Sequence, residues 1–165
     1  ILTHKQYNDL INACSDYIKD FVVMLYETGA RYSELAELQH SNVDLYNRKL
    51  TFVDTKNGDD RTIPINERAL AILKRYRFGK TVFNIDYQKF YEHFCKARHS
   101  VELDYFHAHD LRACWCTNAI LSGMSLPEVS ALSGHKSWSM LRRYTRIKPE
   151  DLEEKVNKIV WIESK

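Results

Sequence analysis

Apolar residues near the N-terminus recur with a helical period. Tyr7, Leu10 and Ile11 fall three or four apart behind Thr3, a residue suited to capping a helix N-terminus. Residues 17–27 read as a second, strongly apolar helix, expected to be buried, and Thr28-Gly29 breaks it. A short helix opens near Arg31 or Tyr32, with Leu35 and Leu38 on one face. The period then drops to two. Leu50-Thr51-Phe52-Val53 and Arg61-Thr62-Ile63-Pro64-Ile65 read as strands around a turn at 56–60, with a third, short strand over 43–46. Pro64 has no N–H to donate to a ladder, so its strand lies at an edge or ends there. Helical spacing resumes over 67–75 and over 86–99, where Phe90, Tyr91 and Phe94 are expected to face inward. It continues over 109–121, ending at Gly123, over 125–133 behind a capping Ser125, and over 137–145. Pro149, Glu150 and Asp151 open a tail helix over 149–165, with Leu152, Val156, Ile159 and Val160 at i, i+4, i+7 and i+8. The pattern predicts a mostly helical α+β domain with one small antiparallel sheet.

Composition narrows this little. A chain of 165 residues makes one domain and buries about two thirds of its unfolded surface. Hydrophobic residues at 44% and charged residues at 28% fit an ordinary globular protein, and no apolar run approaches the length of a membrane span. No signal peptide is evident, and Cys14, Cys95, Cys114 and Cys116 lack the C-x-x-C spacing of a zinc or redox site. They are expected to be buried or partly buried reduced thiols in a cytoplasmic protein. The chain begins Ile1-Leu2-Thr3-His4, without an initiator Met, and is expected to be part of a longer protein.

The net charge is only +2, but its distribution is uneven. Residues 149–165 hold five acids and three bases, leaving 21 bases and 17 acids elsewhere. Between 136 and 148 stand Lys136, Arg142, Arg143, Arg146 and Lys148 with no acid, a cluster suited to phosphate.

Three segments carry the chemistry: Thr28-Gly29-Ala30-Arg31-Tyr32-Ser33-Glu34-Leu35, His109-Asp110-Leu111-Arg112, and Leu132-Ser133-Gly134-His135, with Tyr144 nine residues after His135. In this order, with the Lys-bearing turn between the first two, they resemble the phage-integrase family, the tyrosine recombinases. The resemblance spans roughly residues 1–150 and implies that family's catalytic domain over 1–148, followed by a tail that members often pass to a neighbouring subunit. It also implies an N-terminal DNA-clamping domain outside this chain. The implied activity is site-specific cutting and rejoining of duplex DNA through a 3′-phosphotyrosine, with no metal or ATP. Implied partners are attachment-site DNA, a homotetramer on that DNA and accessory DNA-bending proteins, in phage or genomic-island integration and excision.

Residue by residue, the resemblance marks Arg31, Lys56, His109, Arg112, His135 and Tyr144 as catalytic, and Glu34 as a carboxylate that orients the site from behind. The physical fit is direct. Two guanidinium groups, each a planar fork charged at any working pH, suit the equatorial oxygens of a phosphodiester transition state. His109 and Arg112 are three apart, on one face of a helix. His109 suits accepting the phenolic proton or holding a phosphate oxygen, and His135 donating to a non-bridging oxygen. Lys56, with Lys49 a weaker competitor, suits protonating the departing 5′ oxygen. A phenol has a pKa near 10, so Tyr144 needs positioning and proton removal. Asp110 is expected to support structure, and His107 to lie just outside the helix. Lys136, Arg142, Arg143 and Arg146 are expected to bind DNA. Ser133, where the family usually has Leu, Ala113 in place of a frequent His, and Met140 in place of Thr are departures expected to touch packing alone. Alternatives are a type IB topoisomerase-like strand relaxation, a metal-dependent nuclease built on His107, His109 and Asp110, and a non-catalytic DNA-binding module.

Overall fold

A computed structural model describes residues 1–54, 59–145 and 149–162. Helix α1, His4–Ala13, starts as expected: Thr3 Oγ1 accepts from Gln6 N–H at 3.1 Å, and Gln6 Oε1 accepts from Thr3 N–H at 2.9 Å. This reciprocal cap is worth about 1 kcal/mol. Helix α2, Asp16–Thr28, is the central element and packs against the helices Glu67–Leu73, Tyr87–Ser100 and Asp110–Leu121. It ends at Gly29, whose φ of 68° is left-handed; a Cβ there would also come within 2.6 Å of the Trp115 ring.

Arg31 is the N-cap of the short α3, Tyr32–Ala36. The sheet is β1 (Val43–Asp44), β2 (Lys49–Phe52) and β3 (Arg61–Pro64), antiparallel in that order. Leu50 opposes Ile63, and Phe52 opposes Arg61, so Leu50, Phe52 and Ile63 are buried on one face. Pro64 ends the edge strand β3, where its missing N–H costs no ladder bond.

Helix α4 is Glu67–Leu73 and α5 is Tyr87–Ser100, capped by Asp86, whose Oδ2 accepts from Lys89 N–H at 3.0 Å. Phe90, Phe94 and Ala97, spaced i, i+4, i+7, are buried. Tyr91 departs from expectation: it falls off that stripe, is 49% exposed and stacks on Tyr87 instead. Helix α6 is Asp110–Leu121, with His109 as N-cap and Gly123 in the left-handed region just beyond it. Helix α7, Leu126–Ser133, carries a Ser125–Glu128 capping box and ends at Gly134, φ 80°. Residues 137–145 were expected to be helical, and Trp138–Tyr144 forms a 3-10 segment.

The main core gathers Leu10, Ile18, Phe21, Met24, Leu25, Phe52, Phe90, Phe94 and Phe106, each worth about 1.5–3 kcal/mol on burial. A smaller cluster of Cys116, Ala119, Val129 and Leu141 joins α6, α7 and the 3-10 segment, with Trp115 and Tyr144 packed against it. Cys14, Cys114 and Cys116 are buried and Cys95 partly so, all as free thiols. Among the described residues, no helix is long and apolar enough to cross a membrane.

The tail corrects its expectation. Pro149–Leu152 is a 3-10 turn and α8 covers only Glu153–Asn157. Ile159, Val160, Trp161 and Ile162 have no regular structure and are 75–96% exposed. The periodic stripe is present, but a segment this short, rich in β-branched residues and without a surface to pack on, does not hold a helix alone. The described tail does not cover its own domain.

Candidate active site

Arg112 is the buried centre of the site, at 3% exposure. Its Nη1 donates to Gly29 O at 2.7 Å and to Ser133 O at 2.6 Å, tying the C-terminal ends of α2 and α7 to α6. The left-handed turns at Gly29 and Gly134 thus lie beside the two carbonyls that fix this guanidinium. Burial, and next the charge of Arg31, push the Arg112 pKa down to about 10, which leaves it cationic at neutral pH.

Its Nη2 lies 3.4 Å from Nδ1 of His135. Burial, then the charges of Arg112, Arg31, Arg143 and Arg61, push the His135 pKa down to about 4, so the ring is neutral at pH 7. Partial desolvation, followed by the Arg112 charge, also lowers His109. Arg31, Arg112 and Arg143 act on both imidazoles, so the two histidines share one positive field.

Glu34 positions Arg31 from below. Glu34 Oε1 accepts from the Arg31 backbone N–H at 2.8 Å, and its Oε2 lies 3.7 Å from the Arg31 guanidinium. The carboxylate is clamped by Arg61, which also donates from Nε to Leu132 O at 2.8 Å and lies over the Phe52 ring. Desolvation works to raise the Glu34 pKa, but the Arg61 hydrogen bonds, the Arg31 N–H and both positive charges outweigh it and hold the carboxyl below its usual value. Arg31, Glu34, Arg61, Gly134, His135 and Lys136 line a cleft of about 560 Å³, with Glu37, Asp54, Asp59 and Asp60 also in its lining.

Tyr144 is half-buried at the end of the 3-10 segment, packed on the smaller cluster, with the Arg143 guanidinium carbon 5.4 Å from its ring centre. Arg142 and Arg143 are exposed. Lys136 forms an exposed pair with Asp59 at 3.3 Å, a contact weak enough to exchange for a phosphate. Lys56 and Arg146 lie outside the described residues.

A model of the phage integrase family matches residues 1–151. The chain belongs to the phage integrase family. It is similar to the shufflon-specific DNA recombinase of Escherichia coli, at 29% identity over 153 residues, 87% of this chain and 40% of that protein. It is likewise similar to the integrase of Escherichia phage 186, at 29% identity over 168 residues, 98% of this chain and 48% of the other. The fold matches the solved catalytic domain of bacteriophage HP1 integrase with a TM-score of 0.78 at 25% identity, covering 96% of this chain and 94% of that one. The chain spans about half the length, or less, of these two curated relatives.

Two residues of this integrase-family site escape a reading by motif. Arg61 looks like an ordinary strand start, but it shares the inward face of β3 with Ile63, and a charge there needs a partner. Ser133, by motif a packing position, differs from that expectation. It is fully buried, and its hydroxyl lies 2.6 Å from Nδ1 of His135, so its contact is polar. Its signal was a polar residue at i+4 from Val129, on the buried stripe of α7. Asp110 fits its structural expectation: its Oδ2 accepts from His107 N–H at 2.8 Å. His107 lies outside α6, against Arg98, and among the described residues no group of three or more His, Cys, Asp or Glu is gathered as a metal set.

Proposed function

We propose that this chain is the catalytic domain of a site-specific DNA recombinase, or integrase, that cuts and rejoins DNA strands through a 3′-phosphotyrosyl intermediate. The observation that carries the proposal is the shared positive field of Arg31, Arg112 and Arg143 at two neutral histidines, with Tyr144 under Arg143.

In this mechanism, Arg31 and Arg112 grip the non-bridging oxygens of the scissile phosphate, with Arg112 preorganised by its two carbonyl anchors. The Tyr144 oxygen attacks phosphorus and forms the phosphotyrosyl bond. The bond to the 5′ oxygen breaks, and Lys56 supplies that oxygen's proton. His109, with its lowered pKa, is neutral at pH 7 and is able to accept the phenolic proton or hold a phosphate oxygen. The covalent bond conserves the energy of the broken phosphodiester, so a 5′ hydroxyl reseals the strand without ATP. No step requires a metal. Lys136, Arg142, Arg143 and Arg146 bind the flanking DNA backbone. The whole protein acts as a homotetramer on attachment-site DNA, with accessory bending proteins, in phage or genomic-island integration and excision. The exposed tail is exchanged between protomers in that assembly.

The test is incubation with a pool of nicked duplexes, randomised around the nick, in a metal chelator. A denaturant-resistant protein–DNA adduct is expected. Free cleaved ends without an adduct, formed only when divalent metal is restored, would replace this reading with a nuclease.

A further inference from the structure

Ser133 touches both halves of the phosphate grip. Its carbonyl accepts from Arg112 Nη1 at 2.6 Å, and its side-chain oxygen lies 2.6 Å from Nδ1 of His135. The side chain is fully buried at the last residue of α7, and the left-handed turn at Gly134 folds His135 back onto it.

The proton positions follow from the donor inventory. A guanidinium only donates, so Arg112 Nη2, 3.4 Å from Nδ1, requires a lone pair on that nitrogen. The Ser133 oxygen already accepts from the His135 backbone N–H, at 3.4 Å. Its hydrogen is then free to donate to the same Nδ1, once Arg112 has fixed that nitrogen as an acceptor. The Arg112 contact therefore requires an unprotonated Nδ1, the Ser133 hydroxyl is able to donate to it, and the ring proton lies on Nε2. The low His135 pKa agrees, because a doubly protonated ring would set a second cation against Arg112.

We propose that Ser133 is a positioning residue that locks His135 as the Nε2–H tautomer, so that His135 serves as a neutral hydrogen-bond donor to a non-bridging phosphate oxygen. The phosphate half of this statement rests on the strand-transfer reading; the tautomer half does not. Leu at this position, usual in the family, would keep the carbonyl that holds Arg112 and lose the hydroxyl that holds the ring. This chain therefore uses one residue to register two phosphate ligands against each other.

Two readouts separate positioning from mere packing. In protein labelled with 15N-histidine, proton–nitrogen correlation at pH 7 without DNA should show His135 Nδ1 unprotonated and Nε2 protonated. Ser133→Ala should shift both nitrogens toward the averaged values of a mobile ring, and Ser133→Cys, retaining a weak donor, should restore them in part. On nicked duplex, single-turnover adduct formation should fall about tenfold for Ser133→Ala, short of the ~100-fold that follows a 1 Å misplacement, with DNA affinity unchanged. A protonated Nδ1 in the parent protein, or identical nitrogen shifts in Ser133→Ala, overturns the proposal. Correct shifts with a cleavage rate unaffected by Ser133→Ala overturn its catalytic half. Failure of the strand-transfer reading is separate and visible: the parent protein then forms no adduct at all.

Discussion

Replacing Glu34 tests how the site is held together. Its carboxylate side chain is 10% exposed and the Arg61 side chain 12%. Changing Glu34 to Gln leaves the Arg61 guanidinium beside an amide, and changing Arg61 to Met leaves the carboxylate with the Arg31 N–H and a half-exposed guanidinium 3.7 Å away. Breaking one side of a buried pair costs about 3–5 kcal/mol, and the residual exposure here favours the lower end, about 3 kcal/mol for either variant. For a domain of this size that lowers Tm by about 6–12 °C. The double variant should recover part of the loss, with a coupling energy of about 1.5 kcal/mol or more. Equilibrium urea unfolding of the four proteins measures the free energies and their coupling, and thermal melts measure the Tm shift. The pH dependence adds a sign. The folded Glu34 pKa lies below its ordinary value of 4.5, so its contribution is complete above that pH and is lost as pH falls through the lowered value. Glu34→Gln should flatten that acid limb. Single variants within about 0.5 kcal/mol of the parent, or a strictly additive double, would refute the clamp.

Other outcomes follow from the same geometry. Arg31→Ala should slow adduct formation by about 100-fold or more, as when one preorganised donor is lost, and Arg31→Lys should not rescue it because the bidentate fork is gone; single-turnover kinetics on nicked duplex reads this. Lys56→Ala should be slow on ordinary DNA and largely rescued when the bridging 5′ oxygen is sulfur, a leaving group that needs no general acid; an equal defect on both substrates would remove Lys56 from that role. Deleting residues 150–165 should change domain stability by less than about 0.5 kcal/mol, since the described apolar residues of the tail are exposed. The same deletion should weaken multimer formation on DNA, followed by sedimentation, more than it weakens single-site binding.

Most of the fold was legible because local signals and packing agree. Thr3, Ser125 and Gly29 mark helix ends by chemistry that acts within a few residues, and the structure uses each where the pattern put it. Arg31 at a helix start and Arg112 on α6 were likewise readable from short motifs. What escaped depends on contacts distant in sequence. Arg61 meets Glu34 across 27 residues, and only the fold brings them together. Ser133 lies two residues from His135, but its role depends on Arg112 approaching the same nitrogen. The tail failed for the opposite reason: its period is helical, yet the described residues past Lys158 meet no surface of their own domain that rewards the helix.

The most direct test of the central claim is to trap the covalent complex on nicked duplex, digest it, and map the modified residue by mass spectrometry beside a Tyr144→Phe variant. A 3′-phosphonucleotide on Tyr144, and a Phe variant that binds DNA as tightly as the parent but forms no adduct, is the predicted result. An adduct retained by Tyr144→Phe, or mapped to another tyrosine such as Tyr32 or Tyr105, would contradict it.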